Sequence, residues 1–408
     1  MKDSQAHLQF RYRAVNSVGS LLVTAGIKNL SLEEQDRYEA AIELSGLNDF
    51  GDAYYRDGLQ QLLASARDDA NLHPIGRFIF SSMVTNYLVQ RLRMVDSRKK
   101  DAELYEIPLV PPLIIVGPAR SGTTFLHNLL AQDANHRALP QWLLMYPFPE
   151  GPEESGNTDP RYIKAEQGLN FRLPLLQGLD SKHFSRVDSP EEDILPLGIT
   201  FHSMIFFTLF PVYSYQEWYL DQVELSQKYR EYRWLLQVYQ SQDNKRRLTL
   251  KAPAHTGSLG SILKAVPEVK LIMTHRDPVA CISSACSLLY TFHLGVANEI
   301  DIPRMSDLLL SSYVRLGERN IAFREDNPGL IYDVYYDSLV SDPIGTVRGI
   351  YSHYDLPWPE GHETVLGDYI QRNKKEKHGK HRYSASDFGL KNEEILEKMQ
   401  FYTDIFEV

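Results

Sequence analysis

Short hydrophobic runs alternate with longer amphipathic segments over most of the chain after residue 110. The run Leu113-Ile-Ile-Val116 predicts a buried strand, and a helix from about Gly122 to Gln132 follows it. The alternation recurs, with strands predicted at 248–251, 269–274 and 330–336 and helices at 258–265, 278–290 and 343–354. Strands that alternate with helices indicate an α/β fold, in which helices cover both faces of a parallel sheet.

The first hundred residues show helical periodicity instead. Apolar residues between Leu59 and Leu92 recur at roughly helical spacing. Ser31 and Glu34 have the spacing of a capping box, which predicts a helix with Ser31 at its N-cap. We therefore divide the chain into a helical N-terminal extension at residues 1–106 and a main domain at residues 107–408.

Composition narrows the class of protein. The chain has 408 residues, of which 43% are hydrophobic, so it can bury a core without disulfides or a structural metal. Its net charge of −10 opposes nonspecific nucleic-acid binding, and no nucleic-acid partner is expected. The two cysteines, Cys281 and Cys286, fall in one predicted helix, which excludes a disulfide framework.

Nothing in the apolar pattern predicts a membrane span. The most apolar stretch, Ile199 to Val212, has about 14 residues and contains a histidine and a proline. A spanning helix needs about 20 apolar residues. The polar N-terminus has no signal-peptide pattern, so we expect a cytoplasmic protein; homo-oligomer formation stays open.

A glycine-rich turn follows the first predicted strand. The segment Gly117-Pro-Ala-Arg-Ser-Gly-Thr-Thr124 joins that strand to a helix, which is the arrangement of a phosphate-binding loop. Its glycine spacing matches the P-loop of ATPases and kinases, but Thr123 stands where their lysine belongs. The cation is Arg120, inside the loop. We predict a P-loop-like fold that binds an anionic group with Arg120, Ser121, Gly122, Thr123 and Thr124.

A second anion site is predicted at another strand end. Arg276 follows the strand at 269–274, at the edge where open α/β sheets bind ligands. Ser284 lies eight residues further on, about two helical turns into the next helix. An arginine and a serine so placed can bind one phosphate together.

Together these motifs resemble those of sulfotransferases that use 3′-phosphoadenosine-5′-phosphosulfate (PAPS). The chain is similar to the bacterial-type branch that also resembles tyrosylprotein sulfotransferases. Further matching strings are Pro190-Glu-Glu-Asp193, Leu250-Lys-Ala-Pro-Ala-His255 and His381-Arg-Tyr-Ser-Ala-Ser-Asp-Phe-Gly-Leu390. The resemblance extends over roughly residues 40–405.

The resemblance implies a donor, a product and a set of roles. PAPS would be the donor and 3′-phosphoadenosine-5′-phosphate (PAP) the product, with no metal. The loop from Arg120 to Thr124 would bind the 5′-phosphosulfate, and Arg276 with Ser284 the 3′-phosphate. The basic segment with Lys380 and His381 would close over that phosphate. Lys251 would reach the sulfonate, and Arg120 would stabilise the leaving group.

The general base is predicted less directly. Many relatives carry a glutamate after the tryptophan of a segment that here reads Pro140-Gln-Trp-Leu-Leu144, and Leu143 occupies that position. His255, four residues after Lys251 and tunable near neutral pH, is therefore our first choice. Glu192 and Asp193 are the alternatives.

The acceptor is not specified by the sequence. Aromatic residues crowd positions 201–219, where they would form either core or the wall of an apolar acceptor pocket. A hydroxyl of a phenol, sterol, polyketide, lipid or sugar fits this pattern. Two rival functions are a P-loop kinase or nucleotidase, which would need Mg²⁺, and a binding protein without catalysis.

Overall fold

Five short parallel strands form the centre of the molecule. The computed structural model describes residue 16 and residues 28–149, 158–176, 178–182, 186–222, 225–373 and 384–408. The strands are β1 (Leu113–Val116), β2 (His136–Ala138), β3 (Arg247–Lys251), β4 (Lys270–His275) and β5 (Ile331–Tyr335). Their spatial order is β2-β3-β1-β4-β5, and every neighbouring pair is parallel. The predicted α/β fold with a parallel sheet is confirmed.

Helices surround the sheet. They are α1 (Glu34–Ser45), α2 (Tyr55–Asp68), α3 (Pro74–Lys100), α4 (Thr123–Leu130), α5 (Gln141–Met145), α6 (Pro160–Arg172), α7 (Leu179–Lys182), α8 (Ile205–Leu209), α9 (Tyr213–Asp221), α10 (Ser226–Gln242), α11 (Leu259–Ala265), α12 (Pro278–Leu294), α13 (Ile302–Asp326), α14 (Tyr336–Ser341), α15 (Pro343–His353), α16 (His362–Arg372), α17 (Asn392–Lys398) and α18 (Gln400–Phe406). Single 3-10 turns lie at Lys28–Leu30, Glu103–Glu106, Leu173–Leu175, Pro196–Thr200, Pro253–His255 and Ala385–Phe388.

The two faces of the sheet belong to two hydrophobic clusters. Alternate residues of β1 point in opposite directions, so Leu113 and Ile115 join one cluster while Ile114 and Val116 join the other. The smaller cluster is covered by α4, α15 and α16. The larger one also contains apolar residues of α2 and α3. The helices of residues 1–106 thus share a core with the sheet, and the boundary at residue 106 stays a prediction.

The N-terminal helices are also joined to the rest by a buried ion pair. Arg91 of α3 binds Glu231 of α10 at 3.0 Å, and both side chains are almost completely buried. The Tyr54 hydroxyl donates to the same carboxylate at 2.8 Å. Burial raises the pKa of Glu231, although the charge of Arg91 opposes the shift. These contacts fix α3 beside the sheet, where it forms one wall of the cavity described below.

The predicted capping box at Ser31 is wrong. Helix α1 begins at Glu34 with Glu33 at its N-cap, and no side chain caps it. The Ser31 hydroxyl instead accepts a hydrogen bond from the Glu33 N–H at 3.1 Å. Leu32 is buried in the core, and the Ser31 carbonyl accepts a hydrogen bond from Ser81 at 3.1 Å. These tertiary contacts hold Ser31 outside the helix, and the N-cap moves two residues along, from Ser31 to Glu33.

No helix among the described residues is long and apolar enough to cross a membrane. The stretch that the sequence singled out, Ile199 to Val212, is divided between a 3-10 turn and the short helix α8. Both cysteines lie in α12, buried and unpaired.

Candidate active site

The loop between β1 and α4 has a backbone that only glycine can adopt at two positions. Gly117 has φ +121° and Gly122 has φ +98°. A β-carbon on Gly117 would come within 2.4 Å of the carbonyl oxygen of Thr274 in β4. The glycines therefore let the chain turn sharply against β4 and enter α4 at Thr123. The first N–H groups of that helix have no partner within the helix, which makes its start an anion site.

Hydrogen bonds of buried hydroxyl groups stabilise this loop. Ser121 Oγ donates to the Pro118 carbonyl at 2.6 Å and lies 2.5 Å from Thr274 Oγ1. The Gly117 N–H donates to Thr256 Oγ1 at 2.9 Å. Ser121 is completely buried, whereas Thr124 is exposed at the start of the helix. Ser121 therefore shapes the loop, and Thr124 is free to face a ligand.

The two predicted anion sites lie side by side. Arg120 Nε donates to Ser284 Oγ at 3.0 Å, and Arg276 Nη1 donates to the Arg120 carbonyl at 2.9 Å. Arg120 has φ +71°, a conformation that is uncommon outside glycine and that marks functional sites. Arg120, Arg276 and Ser284 thus form one cluster, although 164 positions separate its outermost members.

Two further residues complete this cluster. The guanidinium of Arg276 lies over the ring of Tyr336, 4.0 Å from its centroid. Arg120 also donates to the Lys182 carbonyl at 3.0 Å. Sequence reasoning missed both residues. Tyr336 directly follows β5, so the rule that ligands bind at strand ends could have pointed to it. Lys182 carries no local signal, because only the fold brings α7 here.

These residues fit a nucleotide with two anionic ends. A helix start, two arginines and a serine offer N–H and O–H donors and positive charge, which phosphate and sulfonate oxygens require. The aromatic ring of Tyr336 adds a flat apolar surface.

Lys251 and Glu192 form an ion pair at the carboxyl end of β3. Lys251 Nζ lies 2.8 Å from Glu192 Oε1 and 3.9 Å from Glu191 Oε1. The lysine side chain is 1% exposed, whereas that of Glu192 is 29% exposed. The main-chain N–H of Asp193 donates to the Lys251 carbonyl at 3.3 Å, which joins the acidic segment to the strand. The carboxylate therefore lies between the lysine and the cavity.

His255 is held in a buried network on both ring nitrogens. Nε2 lies 3.1 Å from Asp193 Oδ2, and Nδ1 lies 2.9 Å from the Tyr229 hydroxyl. Tyr232 donates to the same Asp193 oxygen. Burial would raise the pKa of Asp193, but the charge and hydrogen bond of His255 and the hydrogen bond of Tyr232 outweigh it and lower that pKa. Each ring nitrogen of His255 thus already has a protein partner.

A cavity of about 670 Å³ runs from the loop into an apolar interior. Its polar end includes residues 117–124 in part, together with Arg276, Tyr336, Glu191 and Glu192. Its apolar walls come from α3, α6, α8 and α12. Phe78 and Phe171, 42% and 40% exposed, both line it with their rings 6.1 Å apart. Lys251 and His255 are buried behind the wall.

Some predicted residues are not described. Lys380 and His381 lie outside the described residues, so their proposed part in closing over a phosphate stays a prediction. The described residues contain no group of three or more His, Cys, Asp or Glu side chains arranged to hold a metal ion.

The model of the Sulfotransferase family matches residues 111–360, which include β1, the loop, the acidic segment, β3, β4 and β5. This chain belongs to the sulfotransferase family. The matched range contains Arg120, Lys251, Arg276 and Ser284, and it therefore spans the clusters described above.

Individual relatives within the sulfotransferase family are similar over different lengths. The omega-hydroxy-beta-dihydromenaquinone-9 sulfotransferases Stf3 of Mycobacterium tuberculosis (strain CDC 1551 / Oshkosh) and Mycobacterium bovis are each 28% identical over 267 residues. That match covers 60% of this chain and 63% of each relative. The crystal structure of sulfotransferase STF1 from M. tuberculosis H37Rv has a TM-score of 0.78 at 28% identity and covers 91% of this chain and 99% of that one.

A second solved sulfotransferase agrees with the first. The crystal structure of STF9 from Mycobacterium avium has a TM-score of 0.82 at 25% identity, covering 93% of this chain and 97% of that one. Both likenesses include the N-terminal helices as well as the sheet. The predicted superfamily and its P-loop-like fold are confirmed.

Proposed function

We propose that this chain transfers a sulfonate group from PAPS to a hydroxyl group of a lipid-like acceptor. The observation that carries the proposal is that a single cavity has a polar end lined by Arg120 and Arg276 and a long apolar end. The Glu191–Glu192 segment lies in its lining, next to Lys251. The name of the menaquinone-derivative sulfotransferases similar to this chain also supports a lipid-like acceptor.

Binding of the donor would use the clustered cations. Arg276 and Ser284 would hold the 3′-phosphate, as the family resemblance implies. The N–H groups at the start of α4, with Thr123 and Thr124, would hold the 5′-phosphosulfate. Arg120 now binds Ser284 and could serve either group. When bound, PAPS supplies an activated sulfonate on a phosphate leaving group.

Glu192 is the residue that we propose as the general base. Its carboxylate lines the cavity, whereas His255 is buried and has both ring nitrogens in hydrogen bonds. Glu192 would take the proton of the acceptor hydroxyl as that oxygen bonds to sulfur and the bond from sulfur to the bridging phosphate oxygen breaks. Lys251 would hold the Glu192 carboxylate in place through their ion pair; a direct contact of the lysine with the sulfonate stays a prediction, because Glu192 lies between the lysine and the cavity. His255 and Asp193 would hold the acidic segment against β3.

The test is calorimetric binding of PAP without metal, with Mg-ATP as the comparison ligand. We expect PAP to bind more tightly than ATP and Arg276→Ala to lose at least tenfold in PAP affinity, because it removes a charged hydrogen-bond partner. Arg348→Ala is the matched control, since Arg348 pairs with Glu363 on the surface. Preference for Mg-ATP over PAP would overturn the proposal and favour a kinase or nucleotidase.

A further inference from the structure

One cation in the cavity does not belong to the donor cluster. Arg172, the last residue of α6, lines the cavity together with apolar side chains of α6 and the following 3-10 turn, among them Leu169 and Leu175. Its side chain is partly exposed and belongs to the cavity lining. Burial lowers the pKa of Arg172. A guanidinium still keeps its charge at neutral pH.

Arg172 makes no hydrogen bond and no ion pair with any residue that the structure describes. The groups that interact with its charge are the phenols of Tyr146 and Tyr87. Burial raises the pKa of Tyr87, so its phenol stays neutral. The carbonyl end of α6 favours a cation at this position. Even so, the described residues provide no negative partner for this charge, and charges removed from water are normally paired.

Two amide oxygens in the same cavity lining have no hydrogen-bond partner among the described residues. Asn86 Oδ1 on α3 and Gln141 Oε1 on α5 are buried without a hydrogen bond. Asn86 is the sequence neighbour of Tyr87, and Gln141 lies on the short helix that precedes Tyr146. Buried polar atoms normally find a partner in the protein or in a bound molecule. Both atoms are amide oxygens, which accept hydrogen bonds, so they can bind an O–H or N–H donor of a bound molecule but not a carboxylate.

We propose that Arg172 binds a carboxylate of the acceptor, so that the preferred acceptors are apolar molecules that carry both a hydroxyl and a carboxylic acid. This rests on the proposed function. A monoanion suits the site better than a phosphate dianion, because a single guanidinium can neutralise only one charge. A guanidinium also offers two parallel N–H groups to the two carboxylate oxygens.

The experiment compares ω-hydroxy acids of 10, 12 and 16 carbons with their methyl esters as acceptors. The three lengths sample the distance between hydroxyl and carboxylate. For the best length we expect kcat/KM for the acid to exceed that for the ester at least tenfold. Arg172→Met should abolish this preference and leave the ester within about threefold, because a charged hydrogen-bonded pair supports roughly a 10- to 100-fold effect. Arg172→Lys should restore part of it.

Lys164→Met is the matched control. Lys164 is exposed on the same helix and lies 4.8 Å from the ring centroid of Tyr146, so the variant removes one positive charge without changing the cavity lining. It should keep the preference for the acid. Equal turnover of acid and ester at every length by the unmodified enzyme would overturn the inference. So would an equal loss on both acceptors in Arg172→Met.

A measurement on the unmodified enzyme covers the case in which Arg172→Met does not fold. Hexadecanoate should inhibit sulfonation of a neutral ester acceptor at least tenfold more strongly than methyl hexadecanoate does. Equal inhibition would contradict a carboxylate site. Transfer to esters but not to acids defeats this inference alone, whereas transfer to no hydroxyl acceptor defeats the proposed function.

Discussion

Lys251 and Glu192 are the residues on which the proposed chemistry depends. Lys251 is buried and Glu192 is 29% exposed, and their ion pair orders the lysine beside the carboxylate. Desolvation makes such a pair costly to form and costly to break. The pair therefore contributes more to placing two reactive groups than to the stability of the fold.

Substitutions at Glu192 and His255 should show which residue is the general base and which one stabilises the fold. Glu192→Gln should lower kcat by about 10²–10⁴-fold, the usual contribution of a general base, and leave PAP affinity nearly unchanged. His255→Gln should instead lower the free energy of unfolding by about 3–5 kcal/mol, because Asp193 loses its buried partner.

Steady-state kinetics and urea unfolding on the same preparations measure both effects. Tyr162→Phe, which removes an exposed hydroxyl on α6, is the control variant. It should change neither kcat nor the free energy of unfolding. The reverse result, a folded and PAP-binding His255→Gln without turnover beside an active Glu192→Gln, would return the base to His255.

At the scale of elements, the backbone of the turn between β1 and α4 is tightly constrained by its neighbours. Its backbone passes so close to β4 that even one methyl group does not fit at Gly117. Some other glycines have room for a side chain. Gly367, within α16, has no atom within 4 Å of an added β-carbon.

Gly117→Ala and Gly367→Ala should therefore act in opposite directions. The first should cost about 1–3 kcal/mol of backbone strain and weaken PAP binding at least tenfold. The second should stabilise the protein by about 0.5–1 kcal/mol, because alanine loses less entropy than glycine in a helix. Thermal unfolding and PAP titration of both variants test this, and normal PAP affinity in Gly117→Ala would argue against the loop as the anion site.

At the scale of the whole molecule, the N-terminal helices and the sheet share a core and a cavity. Helix α3 contributes Phe78, Met83 and Tyr87 to the cavity wall, while the loops that follow β1 and β4, which we propose to bind anions, lie at its other end. An acceptor would therefore contact both regions of the sequence. The apolar end depends on residues that no strand-end motif identifies.

Buried neutral histidines should make the fold sensitive to acid. Burial lowers the pKa of His73, His127 and His293 to about 4 in each case. In the unfolded chain each would titrate near 6.5, so between pH 6.5 and pH 4 the unfolded state binds more protons. The free energy of unfolding then falls as the pH falls, by about 2 kcal/mol per histidine between pH 7 and pH 5.

Urea unfolding at pH 7 and pH 5 measures this dependence. His127→Gln keeps a donor for the Thr249 carbonyl but cannot titrate, so its stability should decline by about 2 kcal/mol less than that of the unmodified protein. An identical decline in both proteins would show that His127 does not contribute to the acid sensitivity.

The local sequence pattern was sufficient to predict most of the strands and the glycine-rich turn. Apolar runs identified β1 and β4, because strands buried on both faces are mostly apolar. They also identified β3 and β5, although Lys251 and Asp333 interrupt the apolar pattern there. The string from Gly117 to Thr124 identified the tight turn between β1 and α4, because only glycine readily adopts its backbone at residues 117 and 122. Ser31 shows the limit of such patterns, since contacts with α3 overrode its local preference.

Long-range contacts decided the rest. The pairing of Arg120 with Ser284, the exposure of Glu192 and the burial of His255 depend on distances between residues far apart in sequence. Likewise, only the folded structure shows that Arg172 lines the cavity without an ion-pair partner among the described residues. Whether a side chain is buried, and which group it binds, are properties of the folded chain. Both depend on which distant atoms replace water around that side chain.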